Sequence, residues 1–285
     1  MGQYLPRLLS EVNEFERQVK LNQQKNGMAV TEKFPDIAQL PPELALLVLS
    51  KLDATDLCLA GCVWKDLGQV DILWQGLCKA SWTSCHQYSV WKNSPRFSFK
   101  KLYLLLDEGC LTFNADWKQG MDYLLKHEIV TEDAMSIAKF FHGTYKLDRK
   151  QKMSFLETRP DVLDLLVKLQ NFQKQFLPNA LRKFFRDIQA PTERGSYLSS
   201  MMEKFSAQFC ECNPDVGLSR DAVFVVCFSL IMLSVDLCSP QVKNKMSKRE
   251  FIRNTCRATE GLNDEYAGHL YDNIYLVGHV ASPER

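Results

Sequence analysis

The chain lacks most of the features by which a sequence advertises its chemistry or its address. It has ten cysteines, but none forms a Cys-x-x-Cys pair, and Cys210-Glu-Cys212 has no spaced partner pair, which removes the common zinc frameworks. Cys58, Cys62 and Cys227 fall instead inside apolar helical patterns, where reduced core thiols of a cytosolic protein would lie. No metal or cofactor is expected. The formal net charge is +1, so no bulk electrostatic drive toward nucleic acid or membrane exists. Stacking aromatics are not interleaved with the basic residues, which argues against nucleic acid as a partner. No run approaches the about 20 apolar residues that cross a bilayer. The N-terminus has no secretory h-region, and the expected location is cytoplasmic. Gly2 follows Met1, which permits myristoylation, but Pro6 stands where that signal takes Ser or Thr. Strand-type alternation is scarce, and there is no internal repeat or low-complexity tract.

What is present is helix. A chain of 285 residues with 46% hydrophobic content suits two unequal domains with a real core. The pattern divides it into a tail over 1–36 holding one helical stretch, Arg7 to Leu21, then a small helical module over 37–84. A connecting segment follows over 85–108, loop-like from His86 to Pro95 and helical from Phe99 to Leu106, where it packs between the domains. A long helical domain occupies 109–277, and 278–285 form a second tail. In the long domain Val162, Leu165, Leu166 and Leu169 form one apolar stripe. Leu181, Phe184, Phe185 and Ile188 form a second, Leu198, Met202, Phe205 and Phe209 a third, and Val223, Cys227, Leu230 and Ile231 a fourth. Ser247-Lys-Arg-Glu250 reads as a capping box.

The small module holds three short helices. Pro41-Pro42 suits a helix start, Leu44, Leu47, Val48 and Leu52 recur at helical spacing, Thr55 caps a second helix, and Asp71 opens a third. A unit of this size buries little surface and needs a partner. Leu40-Pro41 with Glu43-Leu44, then Asp56-Leu57, Cys62-Val63-Trp64 and Leu73-Trp74 resemble the F-box in order and in full. That resemblance implies docking to Skp1 within a cullin-based ubiquitin ligase through Leu40, Pro41, Leu44, Leu49, Leu52, Leu57 and Trp74, an apolar helix face burying against a partner's helices. The alternative is that these side chains are only the core of a helical subdomain.

The long domain carries Phe113-Asn114, Gly120, Leu124-Leu125, Ile137-Ala138 through Phe141, Asn179-Ala-Leu-Arg182, Phe184-Phe185, Met201-Met202, Phe205, Phe209-Cys210 and Cys212-Asn-Pro214. Phe228 through Leu237, Pro240 and Phe251 to Asn254 follow. In this order, over about residues 111–276, they resemble the Sec7 family, whose domains exchange nucleotide on ARF-type small GTPases. The fold implied is all-α, a three-helix F-box followed by an elongated Sec7-like domain. The resemblance places a GTPase groove at Phe224, Phe228, Ile231 and Met232, with Asp236, Ser239, Lys243 and Met246 beside it. The four apolar residues share a helix face, and periodicity alone would read that face as core.

The resemblance also implies a glutamate aimed at the magnesium and β-phosphate of the bound nucleotide, where a carboxylate opposes phosphate and competes for the cation. Counting from Ala180-Leu-Arg182 through Pro191 puts Glu193 there, and counting back from Met201-Met202 and Phe205 puts Arg194. The upstream anchor is closer, so Glu193 is assigned. An arginine in its place would attract phosphate instead. The family's Leu-Asn-Thr-Asp-Leu-His-Asn-Pro is here Leu233-Ser-Val-Asp-Leu-Cys-Ser-Pro240, so Ser234 and Ser239 replace amides that donate and accept. Each replacement forfeits about 1 kcal/mol of contact to a GTPase. Lys243, Lys245, Lys248, Arg249 and Arg253 form a basic run, read as a solvated face or as peripheral contact with acidic lipid. Two readings follow. In one, a ligase adaptor binds an ARF-family GTPase and exchanges its nucleotide. In the other it only grips the GTPase and presents it for ubiquitination.

Overall fold

The computed structural model describes residues 36–82, 98–191 and 195–281. The stretch Arg7 to Leu21 and the connecting loop His86 to Pro95 lie outside the described residues. Every regular element among the described residues is helical, as the patterning requires. The chain divides after Lys51 into two compact units.

The first unit carries a 3-10 turn, Ile37–Gln39, and helix α1, Pro42–Leu49. Pro42 opens α1 where its missing N–H costs nothing. Ala45 and Leu49 are buried, while Leu44, Leu47 and Val48 are exposed at 49%, 57% and 47%.

The second unit begins with α2, Ala54–Val63, α3, Lys65–Gly68, and α4, Asp71–Trp82. The cap of α2 is Asp53, whose carboxylate accepts from Asp56 N at 2.8 Å. Thr55, expected in that role, sits inside the helix. Helix α5, Phe99–Ala115, is longer than its pattern suggested and runs straight across residue 108, the expected domain boundary. It is fastened to α4 at its first turn and along its side. Asp71 Oδ1 accepts from Phe99 N at 2.8 Å and from the Ser98 hydroxyl at 3.2 Å. Tyr103 meets Trp74 and Trp82 edge-on at 5.7 and 6.4 Å. Lys146 then lies over the Trp82 and Tyr103 rings and pairs with Asp107 at 2.6 Å.

Helices α6, Trp117–Lys126, α7, Ala134–Gly143, α8, Arg149–Thr158, and α9, Pro160–Lys168, follow. Most start on an Asp whose side chain accepts from a first-turn N–H. Helix α6 folds back on α5 through Gly120, where a Cβ would stand 2.2 Å from Phe113 Cα. That contact is why a glycine is needed there. Phe113, Phe141 and Phe155 then form an edge-to-face chain at 5.4 and 5.2 Å. In α9 the buried stripe is Val162, Leu163, Leu166 and Val167. Leu165 and Leu169, expected inside, are only half-buried.

The remainder is α10, Leu177–Asp187, α11, Ser196–Cys212, α12, Arg220–Cys238, α13, Lys248–Ala258, and α14, Asp264–Val277. Phe172, Phe184 and Phe205 knit α10 and α11 at 5.1 Å per ring pair. Helix α12 is 19 residues long, and an 18-residue stretch of it has mean hydropathy 2.1. By length and composition it meets the bilayer-crossing criterion, which corrects the expectation that no run approached it. Its Val223, Val226, Cys227, Leu230 and Leu233 are buried within the domain, where it packs on α10, α11, α13 and α14. A helix apolar on more than one side is here a central core helix.

Candidate functional site

One side of α12 makes the core, and the other is left open. Phe224, Val225, Phe228, Ser229 and Met232 line a groove of about 390 Å³ whose opposite wall is Met246, Phe251, Asn254 and Thr255. Phe224 and Phe228 meet edge-to-face at 4.9 Å and are half-buried. Leu233 and Phe251, at 1% and 2% exposure, form the floor, and Met232, at 53%, stands on the rim. Among the described residues no side chain fills it.

The groove holds its width because the loop between α12 and α13 is tied at both ends. Asp236 Oδ2 accepts from Met246 N at 2.7 Å. The Lys245 ammonium donates to the carbonyls of Asp236, Leu237 and Ser239, placing a cation on the negative end of α12 and satisfying acceptors that the helix leaves over. Tyr271 of α14 donates to Met246 O at 3.0 Å. A capping box starts α13, with Ser247 N and its hydroxyl both donating to Glu250 Oε2, and these bonds hold the Glu250 carboxyl below its ordinary range.

The residues expected at this site are thus sorted. Phe224, Phe228, Met232 and Met246 line the groove. Ile231 does not, since at 8% exposure it belongs to the core side of α12. Asp236 shapes the groove from behind through its bond to Met246. Ser239 is half-buried and accepts from Gln241 N at 3.4 Å, and Lys243 is exposed outside the lining. Ser234 is fully buried and donates back to Ile231 O at 2.8 Å, so the expected loss of a partner contact there does not apply. Val225, Ser229, Asn254 and Thr255 were not singled out from sequence. Their signal was their place one residue beside the apolar stripe and on the opposing helix. Glu193 and Arg194 lie outside the described residues. The segment leading to them starts from Asp187 and the buried Ile188 at the end of α10.

In the small module the expected docking residues divide the same way. Leu44 and Pro41 are exposed, and Leu40 and Leu52 are half-buried. Leu49, Leu57 and Trp74, at 1%, 1% and 0%, are core. Trp74 donates to Gly68 O at 3.0 Å, which fixes the ring inside. Exposed apolar residues that sequence reasoning did not assign to docking are Leu47 and Val48 in the first unit, and Leu59, Val63 and Ile72 in the second.

A model of the Sec7 domain matches residues 103–276, and an F-box-like model matches residues 37–80. The chain belongs to the Sec7 domain family. It is 57% identical over 256 residues to F-box only protein 8 of Homo sapiens, covering 88% of this chain and 80% of that protein. It is 33% identical over 182 residues to Brefeldin A-inhibited guanine nucleotide-exchange protein 1 of Homo sapiens, covering 60% of this chain and 10% of that much longer protein. Among solved structures, the Sec7p catalytic domain superposes with a TM-score of 0.54 at 29% identity, covering 60% of this chain and 96% of that one. A Sec7 domain solved with ARF1-GDP and Brefeldin A superposes at 0.54 with 24% identity, covering 61% and 91%. An F-box-like segment preceding a Sec7 domain is therefore the organisation of this chain, and the groove lies within its Sec7 part.

Proposed function

We propose that this protein is an F-box adaptor of a Skp1–cullin ubiquitin ligase, working at the cytoplasmic face of membranes that carry ARF, whose Sec7 domain binds an ARF-family small GTPase. The observation that carries the reading is the open apolar groove between α12 and α13, on a chain of the Sec7 family. A groove with an apolar floor and a Met and Phe rim suits an apolar switch segment of a partner protein, and such buried anchors carry most of an interface's energy. The proposed mechanism is electrostatic. With the switch segment held, Glu193 enters the nucleotide site, where its carboxylate opposes the β-phosphate and competes for magnesium. Binding the empty GTPase best weakens the nucleotide by linkage.

The second reading keeps the grip without the exchange, and it is favoured by Cys238 and Ser239 at the end of α12. Cys238 is exposed and Ser239 is turned to Gln241 N, so neither offers the donor and acceptor set of the family's imidazole and amide. Nucleotide release from purified ARF separates the two. Exchange predicts release above background, lost in Glu193→Lys and retained in Arg194→Ala. Grip alone predicts ARF capture with release at background. Met232→Asp puts a charge on the rim without disturbing the core, and it should weaken capture by at least about tenfold, the effect of burying an unpaired charge. Unchanged capture by that variant would remove the groove from the function.

A further inference from the structure

A second cleft, of about 1040 Å³, runs along α13 to the first residue of α14. Arg249, Arg253 and Arg257 line it at steps of four, so they stand in one row about 12 Å long. All three are exposed, and among the described residues no ion pair or side-chain hydrogen bond engages Arg249 or Arg257. Other arginines of the domain are committed, since Arg149, Arg159 and Arg182 each bond a carbonyl or a carboxylate. The row lies on the far side of α13 from Phe251, Asn254 and Thr255. This cleft and the groove therefore share a helix but no face.

The rest of the lining decides what can enter. Lys248 is matched by Asp272 of α14 at 2.6 Å. Two carboxylates flank the arginine row. Glu250 lies on one side, and its bonds from Ser247 fall on Oε2, so Oε1 has no donor among the described residues. Asp264 lies on the other side, bonded by the Cys256 thiol. Burial first, and then that bond, push this thiol up, so it adds no negative charge at neutral pH. Counted as anions, the two carboxylates leave only a small positive excess, and a bare polyanion would meet repulsion at both edges of the row. No aromatic side chain lines the cleft, so a nucleobase has no ring to stack on. Ile252 is its one aliphatic residue, which gives an acyl chain or an apolar peptide little to bury against.

We propose that this cleft binds a phosphorylated polyol, its phosphates on the row of Arg249, Arg253 and Arg257 and its free hydroxyls on Glu250 and Asp264. A guanidinium presents a planar fork that takes a phosphate through two bonds. Steps of about 6 Å along the helix set neighbouring forks against phosphates on neighbouring ring carbons. An ionised carboxylate is an acceptor only, so it bonds a hydroxyl and repels a phosphate. The mixed lining thus asks for one ligand bearing both groups, which a cyclitol or sugar phosphate does, and the volume is that of a roomy small-molecule site. A soluble phosphate of this class and a lipid headgroup share the chemistry. The inference does not rest on the groove, because the row faces away from it.

Titration calorimetry of the full chain with inositol trisphosphate tests this, with inositol hexakisphosphate, which has no free hydroxyl, as the comparison. The trisphosphate should bind at least about threefold tighter although it carries less charge. Arg253→Gln should weaken it at least about tenfold, and Arg253→Lys should recover only part of that loss, because the charge returns without the fork. Asp264→Ala should weaken the trisphosphate and tighten the hexakisphosphate, whereas a plain anion site would tighten both. Arg253 and Asp264 are exposed, so these variants should unfold within about 3 °C of wild type. Met232→Asp should leave the binding unchanged, which separates this inference from the groove reading. Vesicles carrying phosphatidylinositol bisphosphate assign the source. Arg253-dependent vesicle binding that free trisphosphate displaces names a lipid headgroup, and trisphosphate binding without vesicle binding names a soluble ligand. No saturable trisphosphate binding up to about 1 mM, tighter binding of the hexakisphosphate, or an Arg253→Gln variant that binds like wild type would each overturn the inference.

Discussion

Lys152 is a lysine inside the Sec7 domain, only 7% exposed. Burial pushes its pKa down from 10.5 to about 8, against a favourable Asp187 at the end of α10 and with an unfavourable Arg149 one turn away. At neutral pH the folded chain thus carries a charge that burial disfavours. The difference between 10.5 and about 8 corresponds to a penalty on the order of 3 kcal/mol. Lys152→Met keeps the side chain's length and removes the charge, so at pH 7 the variant should be more stable, by about 1–3 kcal/mol once imperfect packing is allowed for. The sign with pH is distinctive. Below about 8 both states of the wild type are protonated at this site and the penalty is full. Between about 8 and 10.5 the unfolded chain holds a proton that the folded chain has released, so wild-type stability at this site rises with pH. The advantage of Lys152→Met should therefore shrink by up to about 1.4 kcal/mol per pH unit over that interval. Urea unfolding of both proteins at pH 7, 8, 9 and about 10 measures it, and taking the difference cancels the buried thiols and tyrosines that titrate nearby. A variant less stable than wild type at pH 7 would refute the argument, as would a difference that does not change with pH.

Gly120→Ala drives a methyl into the Phe113 backbone at 2.2 Å, and because backbone cannot swing aside it should cost at least about 2 kcal/mol, read as a fall in thermal midpoint. Lys146→Met removes an ion pair with Asp107 and two ring contacts that fasten α4 to α5. Both partners are about a third exposed, so the expected loss is only about 1 kcal/mol, and it should be non-additive with Asp107→Asn in urea unfolding. Leu44→Asp with Leu47→Asp changes two side chains that are 49% and 57% exposed, so it should leave stability within about 0.5 kcal/mol yet abolish Skp1 capture. Retained capture would move the docking face elsewhere. His142 is held below its ordinary pKa, by burial first of all and against the attraction of Asp187. Its stabilising contribution is complete above about pH 6.5 and is lost as pH falls through its lowered value, so acid unfolding should begin later in His142→Phe.

Sequence by itself determined the class of the fold and the order of its parts. Apolar residues at helical spacing leave little freedom, because only a helix gathers Leu181, Phe184, Phe185 and Ile188, or Leu198, Met202, Phe205 and Phe209, on one buried side, and all eight are buried. The Ser247–Glu250 capping box was equally legible, being closed by side chains three residues apart. What sequence left open was the use of each apolar residue. Leu49, Leu57 and Trp74 looked like docking residues and are core, while Leu47, Val63 and Ile72 are exposed. Ile231 looked like the groove and faces the core, one residue from Met232 on the rim. Spacing sets which residues share a helix face, but only the neighbours packed across that face decide whether it is covered. The groove exists because α13 and a loop tied by Asp236, Lys245 and Tyr271 stand off from α12 rather than on it. Those are contacts between residues distant along the chain, and no local pattern encodes their distance.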